Sequence, residues 1–242
     1  MAKHCLVTGA NRGIGLEFVR QLLARGDRVV ATCRHPGKAA ALNTLTGEYP
    51  GRLHVLPLDV ASEKSRAELV RELPLVCGDA VEKDAAGKPA IDLLINNAGV
   101  LHSGERFGQL SAAHLDDSFR TNASGPLLLT EALAPTLSDG ATVTNLSSTL
   151  GSIASTSQFG TPSYNISKAA QNMATVLLAH ALRDRGIRVV ALHPGWVQTE
   201  MGGDGAQIPA TAAVAGLLRV IDGLTLDESG CFLDWQGQMQ PW

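Results

Sequence analysis

The segment PSYNISKAAQ, residues 162–171, places a tyrosine and a lysine one helical turn apart, at Tyr164 and Lys168. Side chains at this spacing lie on one face of a helix, with Cβ atoms about 5–6 Å apart. A lysine ammonium beside a phenol favours the tyrosinate, which helps a group of ordinary pKa about 10 to exchange protons near neutrality. Because the spacing arises by chance in about one such sequence in twenty, the pair alone indicates only a candidate proton-transfer couple.

A glycine-rich turn follows the first apolar run of the chain. In TGANRGIG, residues 8–15, the glycines stand at positions 9, 13 and 15, where the first amphipathic segment begins. Gly9 would allow a tight turn, Gly13 would let the backbone approach a pyrophosphate, and Gly15 would let helix and strand pack closely. The amino terminus of the helix would offer N–H groups and a positive dipole to that phosphate. The turn predicts a dinucleotide site, although such a turn can also be purely structural.

The end of the second apolar run indicates which dinucleotide would bind. NAD-binding units place an acidic residue there to hold the ribose 2′-OH. In this chain ATCRHP has Cys33 and Arg34 at that point, and Asp27 precedes the run. Arg12 and Arg34 could together bind a 2′-phosphate, which suits planar guanidinium groups, or each could be a solvated surface charge. The pattern favours NADP(H) over NAD(H).

Short apolar runs alternate with amphipathic segments from end to end, and this alternation must position the candidate residues. Val, Leu and Ile dominate the runs, as expected of strands buried on both faces. We predict the α/β class: a single-domain Rossmann fold over residues 1–242, a doubly wound parallel sheet of about seven strands with helices on both faces. The predicted strands are 4–9, 28–33, 53–58, 91–96, 141–147, 187–194 and 230–234. The predicted helices are 13–25, 38–46, 62–73, 111–137, 162–185 and 210–221, and the polar segment 78–90 is predicted to be a surface excursion.

Composition excludes several classes of function. A net charge of −3 and a pI near 6.1 give no support for binding to nucleic acid or to an anionic membrane surface. The four cysteines are scattered without metal-ligand spacing, so we expect reduced thiols, a cytoplasmic location and no metal site. The first residues enter a strand pattern at once, and no apolar run reaches about 18 residues, so neither a signal peptide nor a membrane span is expected.

Further motifs follow in order: LDV (58–60), NNAG (96–99), Asn122, NLSS (145–148), YNISK (164–168) and PGWVQT (194–199). Together with the glycine-rich turn, they resemble the short-chain dehydrogenase/reductase family over essentially the whole chain. The segments 193–203, 216–224 and 229–242 resemble in particular the branch that contains the C-factor of myxobacteria and the sniffer-type carbonyl reductases.

The resemblance implies roles for individual residues. It implies a catalytic tetrad of Asn122, Ser148, Tyr164 and Lys168, with Ser148 chosen over Ser147 because the family uses the second serine of such a pair. Adjacent strand residues point to opposite faces, so only one of the two should reach the site. The residues that the motifs assign to NADP(H), besides Tyr164 and Lys168, are Gly9, Asn11, Arg12, Gly13, Ile14, Gly15, Arg34, Asp59, Val60, Asn97, Ala98, Gly99, Pro194, Gly195, Val197 and Thr199.

In the implied chemistry, Tyr164 exchanges a proton with the substrate oxygen, Lys168 tunes the tyrosine, and Ser148 stabilises the developing charge. The family gives Asn122 a proton-relay role behind Lys168, but TNASG could also simply cap a helix. Phe159 and Trp196 could be pocket walls or core residues. His102 could reach the pocket or solvent, and the terminal Pro241–Trp242 could pack on the sheet or reach a partner subunit.

The resulting hypothesis is an NADP(H)-dependent oxidoreductase that transfers hydride between the nicotinamide and a carbonyl or secondary alcohol, with reduction favoured. The family also implies a homodimer or homotetramer that pairs through the helices near 111–137 and 162–185. Two alternatives stay open: a C-factor-like signalling protein with incidental turnover, and an NAD-dependent alcohol dehydrogenase. Two departures from the family bear on the substrate, which the sequence does not identify. The segment between Ser148 and Tyr164 is slightly long, and a loop is expected after Thr199 where many relatives carry a helical lid.

Overall fold

The computed structural model describes residues 2–77 and 90–242. The segment 78–89, which holds nearly all of the predicted surface excursion, lies outside the described residues. In the described part, seven parallel strands form one sheet in the order β3-β2-β1-β4-β5-β6-β7. The strands are β1 (His4–Thr8), β2 (Arg28–Cys33), β3 (Leu53–Pro57), β4 (Ile91–Asn96), β5 (Leu137–Leu146), β6 (Arg188–His193) and β7 (Phe232–Asp234).

Helices cover both faces of this sheet. They are α1 (Gly13–Ala24), α2 (Ala40–Glu48), α3 (Glu63–Cys77), α4 (Ala112–Phe119), α5 (Gly125–Leu133), α6 (Pro162–Ala181) and α7 (Ala210–Gly223). One buried apolar cluster joins the sheet to α1, α2 and α7, and a second joins it to α3, α5 and α6. The predicted doubly wound α/β fold is therefore confirmed.

The strand order reverses between β1 and β4, which are adjacent in the sheet although two strands separate them in sequence. In open α/β sheets, ligands bind beyond the carboxyl ends of the strands at such a reversal. The glycine-rich turn after β1 and the NNAG segment after β4 both lie at this point. The fold thus brings two of the sequence motifs to one place.

The predicted helix 111–137 is wrong in its detail, because the structure divides it. After α4 the backbone widens into a π-helical turn, Arg120–Ser124, before α5 begins at Gly125. The N–H of Gly125 donates to the carbonyl of Arg120, five residues earlier. Strand β5 then begins at Leu137, so it is longer than the predicted run 141–147. Single π-turns of this kind are frequent at functional sites, and this one contains Asn122.

Gly15 lets α1 pack against the two strands at the reversal. A Cβ atom at Gly15 would lie 2.4 Å from the Gly9 carbonyl oxygen and 2.5 Å from Asn97 Nδ2. Real Cβ atoms do not approach backbone this closely, so any larger residue would push α1 away from the sheet. The close packing that the sequence motif implies at this position is thus required by the structure.

We expect Gly15→Ala to destabilise the fold by about 1–3 kcal/mol because the methyl group has no space. Gly47→Ala is the matched control, since nothing lies within 4 Å of a Cβ atom at that position in α2. There the same substitution should stabilise the protein by about 0.5–1 kcal/mol through helix propensity. Urea unfolding of the two variants measures both effects, and equal effects would contradict this account.

Candidate active site

Tyr164 and Lys168 lie on the face of α6 that packs against the sheet. Their exposed fractions are 9% and 4%, so both side chains are buried, as the shared-face argument predicts. Lys168 Nζ lies 5.6 Å from the centroid of the Tyr164 ring. Gly151, in the turn that follows β5, permits this packing, because a Cβ atom there would stand 2.7 Å from Lys168 Cβ.

Lys168 is a buried cation with neutral hydrogen-bond partners. Its Nζ donates to the carbonyl of Leu146 at 2.6 Å and to Gln171 Oε1 at 2.9 Å. Removal from water disfavours the charged form, and burial lowers the pKa of Lys168 to about 7. The lysine therefore changes charge close to neutral pH.

The Ser148 side chain lies beside Tyr164. Burial raises the pKa of Tyr164 to about 12, and the hydrogen-bonding capacity of the Ser148 hydroxyl opposes that rise. Ser147 points elsewhere: its Oγ donates to Asn172 Oδ1 at 2.6 Å, on the inner face of α6. Both serines follow the end of β5 and both face α6, so they are not separated by strand alternation; Ser148 lies beside Tyr164, whereas Ser147 contacts Asn172.

Asn122 links the segment after β4 to α6. Its Oδ1 accepts the N–H of Val100 at 2.8 Å, and its Nδ2 donates to the Val100 carbonyl and to Ser167 Oγ, each at 2.9 Å. Ser167 Oγ in turn donates to the Tyr164 carbonyl at 2.7 Å. Because both amide hydrogens are used in this way, the Asn122 side chain is held rigidly and holds the backbone that precedes Lys168.

The glycine-rich turn has the features of a phosphate site. Gly9 and Gly13 adopt positive φ angles of 63° and 54°, which few other residues tolerate. Helix α1 begins with no side-chain cap and no acidic residue in its first turn, so its amino-terminal N–H groups can face an anion. A Cβ atom at Gly13 would lie 3.3 Å from Thr199 Cγ2, and this narrow space between the two loops would be filled by any side chain.

Thr8 and Asn97 fasten the two strand ends beside this turn. Thr8 Oγ1 accepts the N–H groups of Asn97 and Ala98, each at 3.0 Å. Asn97 Nδ2 donates to the carbonyls of Thr8 and Gly9, at 2.9 and 3.1 Å. Gly99 continues this segment toward the lysine, since a Cβ atom there would lie 3.9 Å from Lys168 Nζ. The motif residues 97–99 are thus brought to the tyrosine–lysine pair.

The two arginines that the sequence assigns to a 2′-phosphate differ in their surroundings. Arg12 forms an exposed ion pair with Glu200, which follows Thr199 in the loop after β6. Arg34 is exposed just beyond β2. Nearby, Asp59 is exposed and its Oδ1 accepts the N–H of Ala61, whereas Val60 is buried. Sequence reasoning missed Glu200, because nothing in the spacing of residues 12 and 200 indicates that they meet.

The loop after β6 carries the remaining motif residues, Pro194, Gly195, Val197 and Thr199. Val197 pairs with Ile208, and Thr199 Oγ1 accepts the N–H of Gly202 at 3.1 Å. The segment 200–209 contains no helix, as expected from its length and glycine content. The structure therefore brings this loop across to the glycine-rich turn without a helical lid.

Two exposed aromatic side chains meet at the loops beyond β4 and β5. The rings of Phe107 and Phe159 pack edge to face, 5.6 Å apart, and are 85% and 54% exposed. Trp196, in the loop after β6, is 56% exposed. Phe159 and Trp196 are therefore not core residues.

His102 and the last residues of the chain, whose roles the sequence left open, have clear partners. His102 Nε2 lies 2.9 Å from Asp117 Oδ2, and its ring stacks on His114. Trp242 stacks on Phe232 of β7, with ring centroids 5.5 Å apart. Its carbonyl accepts the N–H of Ala154, in the segment between Ser148 and Tyr164, at 2.9 Å.

The family model described as short chain dehydrogenase matches residues 3–207. The chain belongs to the short-chain dehydrogenase family. C-signal of Myxococcus xanthus is 46% identical over 154 residues, which cover 63% of this chain and 93% of that protein. The structure of an NADPH-bound carbonyl reductase from chicken fatty liver is 37% identical with a TM-score of 0.89, covering 100% of this chain and 99% of that one. The carbonyl reductase Sniffer of D. melanogaster is 29% identical with a TM-score of 0.91, covering both chains fully.

These similarities confirm the resemblance that the motifs indicated. The chain is a carbonyl-reductase-like oxidoreductase of the short-chain dehydrogenase family. Among the residues that the structure describes, no helix is long and apolar enough to cross a membrane, and no group of side chains could hold a metal ion.

The burial of Lys168 should reduce stability near neutral pH. Because its folded pKa of about 7 lies below the ordinary value of 10.5, the unfolded chain binds more protons between these values, and stability should rise with pH. We therefore expect Lys168→Met to raise the free energy of unfolding at pH 7. This advantage should shrink by up to about 1.4 kcal/mol per unit as pH rises toward about 9.5.

Denaturant titrations across this pH range test the prediction. Lys38→Met is the matched control, because Lys38 is exposed and its loss should leave the pH dependence of stability unchanged. A difference between wild type and Lys168→Met that does not vary with pH would show that the lysine is not titrating as described.

Proposed function

We propose that this chain is an NADP(H)-dependent reductase of carbonyl compounds, in which Tyr164 is the proton donor. The observation that carries the proposal is the adjacent Ser148 and Tyr164 side chains, buried beside Lys168 at the same end of the parallel strands as an uncapped, glycine-rich helix start. A hydroxyl pair beside a dinucleotide site suits proton transfer to a carbonyl oxygen whose carbon receives hydride.

The residues fit such a cofactor. The turn at Gly9 and Gly13 has the open backbone that a pyrophosphate requires, and the side chains of Arg12 and Arg34 supply positive charge for a 2′-phosphate. Asp59 and Val60 would hold the adenine, the segment 97–99 would line the cofactor, and Pro194, Gly195, Val197 and Thr199 would hold its other end. NADPH, when bound, supplies the hydride. The carbonyl reductase from chicken fatty liver carries NADPH, which supports the choice.

In this proposal, side chains of the site supply the proton and stabilise the charge that develops. A pKa of about 12 keeps Tyr164 protonated at neutral pH, so it enters reduction ready to donate. Ser148 lies beside the tyrosine and would share the charge that develops on the substrate oxygen. Lys168, when protonated, stabilises the tyrosinate left after donation. The Asn122 amide fixes the backbone around this pair and has no free hydrogen for a relay.

We further propose that the substrate is apolar around its carbonyl group. The exposed Phe107–Phe159 pair and Trp196 lie on the loops that follow β4, β5 and β6. These loops leave the carboxyl ends of the strands, and the loop after β5 leads into the helix that carries Tyr164. Exposed aromatic surface at a pocket mouth favours apolar or aromatic ligands. The slightly long segment before Tyr164 contributes one of these rings.

We also propose that two copies pair through the outer face of α6. Ile166, Met173 and Leu177 are 54–61% exposed and repeat along one side of the helix, with Phe119 of α4 also exposed. A continuous apolar stripe of this kind is typical of a surface that another protein covers. A homodimer, or a homotetramer built from it, would bury the stripe.

We propose that the chain forms a single domain over residues 1–242 and is located in the cytoplasm. The free cysteines Cys5 and Cys33 in the core support such a reducing location.

A signalling role is the second candidate, favoured by the 46% identity to C-signal of Myxococcus xanthus. The two functions separate in cells that lack the gene, after complementation with a catalytically inactive variant. If such a variant restores the phenotype fully, turnover is incidental to the biological role.

We expect Tyr164→Phe to lower NADPH-dependent reduction of aromatic aldehydes, ketones and diketones by about 10²–10⁴-fold, because the proton donor is lost. Ser148→Ala should lower it by about 10²–10³-fold through loss of charge stabilisation. Tyr49→Phe removes the other tyrosine of the chain and should have no effect. Steady-state oxidation of NADPH, followed by absorbance, measures each change, and an active Tyr164→Phe enzyme would refute the assigned role.

We expect Arg34→Asp to move cofactor preference toward NAD(H) by at least about tenfold, because a carboxylate repels a 2′-phosphate and accepts from a ribose 2′-OH. Arg219→Asp, at an exposed position of α7, is the control for the change in net charge. Fluorescence titration of NADPH and NADH binding gives the ratio of affinities. A wild-type protein that already prefers NADH would support the alternative of an NAD-dependent alcohol dehydrogenase.

A further inference from the structure

Gln171 stands one helical turn beyond Lys168, on the same inner face of α6. Its side chain has no exposed surface, and its Oε1 accepts a hydrogen bond from Lys168 Nζ at 2.9 Å. The second acceptor is the carbonyl of Leu146, at the end of β5, at 2.6 Å. Of these two acceptors, only Gln171 is a side chain, so only this one depends on residue type.

The surroundings of Lys168 Nζ supply little other help for a positive charge. Gly99 approaches Nζ from the segment after β4, and the Tyr164 ring centroid lies 5.6 Å from Nζ on the same helix, whereas Gly151 packs against the Cβ and backbone of the lysine. Within the described residues, burial is the cause that shifts the pKa of this lysine, and no neighbouring carboxylate offsets it. Tyr164 is thus the titratable group that faces the ammonium, and the Gln171 amide supplies the nearby dipole.

The nitrogen of the Gln171 amide argues against a role for this side chain in packing alone. Gln171 Nε2 is buried and lies within hydrogen-bonding distance of no acceptor in the described residues. An unsatisfied buried donor destabilises a fold, whereas leucine or methionine would fill the same space without that penalty. The position therefore carries a polar group whose benefit lies at Oε1, on the lysine.

We propose that Gln171 is a positioning residue that holds the Lys168 ammonium in place beneath Tyr164 and favours its charged form. This role rests on the proposed function for its link to turnover, because the protonated lysine is what stabilises the tyrosinate. Without the amide oxygen, Lys168 Nζ would keep one acceptor, the Leu146 carbonyl, and the lysine side chain could adopt other rotamers.

Two substitutions separate this role from packing. Gln171→Met keeps the length of the side chain and removes the acceptor, so the pKa of Lys168 should fall by about one unit. Gln171→Glu keeps an acceptor and adds charge, so that pKa should rise by at least as much. The thermal unfolding midpoint of Gln171→Met at pH 9, where Lys168 is neutral, should be unchanged or higher, because the orphaned donor is gone.

Lysine side-chain ¹³C NMR reads the titration directly. The chain has six lysines, and comparison with Lys168→Met assigns the resonance. Gln236→Met, at an exposed position, is the control that should leave it unmoved. A Lys168 titration that is the same in wild type, Gln171→Met and Gln171→Glu would overturn the proposal. Should Gln171→Met fail to fold, Gln171→Glu carries the test alone.

The activity arm uses the pH profile of NADPH-dependent reduction. In Gln171→Met the loss of rate on the basic side should begin about one pH unit lower, and the rate there should be about tenfold below wild type. Gln171→Glu should move the same limb to higher pH. If wild type reduces no carbonyl compound, the proposed function fails, while the NMR titration still decides whether Gln171 controls the lysine.

Discussion

Polar groups at the ends of these strands must find partners inside the protein, because helices cover both faces of the sheet and keep water out. A buried polar group without a partner costs free energy, and side-chain amides at the ends of β4 and β5 make such partnerships. Asn96 Nδ2 donates to Asn145 Oδ1 at 2.9 Å, and Asn145 Nδ2 donates to Thr175 Oγ1 at the same distance. This chain of amides joins β4, β5 and α6, and it fixes the helix that carries the tyrosine relative to the strands that precede Ser148 and the segment 97–99.

The same requirement explains how the site is tuned. Lys168 is acceptable in this interior because a strand-end carbonyl and an amide oxygen receive its hydrogens, yet neither is charged. Its pKa falls toward neutrality while that of Tyr164 rises. One environment thus moves the two groups in opposite directions, and the tyrosine keeps its proton under conditions where the lysine begins to lose its own.

Patterns in the sequence predicted the structural features that depend on residues close together in the chain. Apolar runs alternating with amphipathic segments predicted the sheet and its layers, and glycines at 9, 13 and 15 predicted the close approach of α1. Strand alternation did not predict the contacts of Ser147 and Ser148, because both lie beyond the end of β5 and both face α6. The Tyr164–Lys168 pair, the glycine-rich turn and the two arginines came from residue type and spacing, whereas the remaining tetrad and cofactor residues came from the family resemblance, and all of these roles stay predictions.

What escaped prediction depends on contacts between distant parts of the chain. The π-turn around Asn122 depends on packing of Gly125 against Val60, and no local periodicity signals it. The partner of Ser167 is 45 residues away, and Gln171 looked like an ordinary helix residue until the lysine's position was known. The hydrogen-bond partners of such side chains can be identified only once the fold has brought distant segments of the chain together.

The ion pair between Arg12 and Glu200 joins the glycine-rich turn to the loop after β6. Both side chains are largely exposed, so the pair itself is worth only about 0–1 kcal/mol and water can replace either partner easily. A bare arginine would attract any passing anion, including inorganic phosphate. With the carboxylate in place, an anion gains a place there only if it offers the guanidinium more than Glu200 does. A ligand that also engaged the backbone of the glycine-rich turn would meet that condition, so the proposed phosphate site would favour multivalent anions.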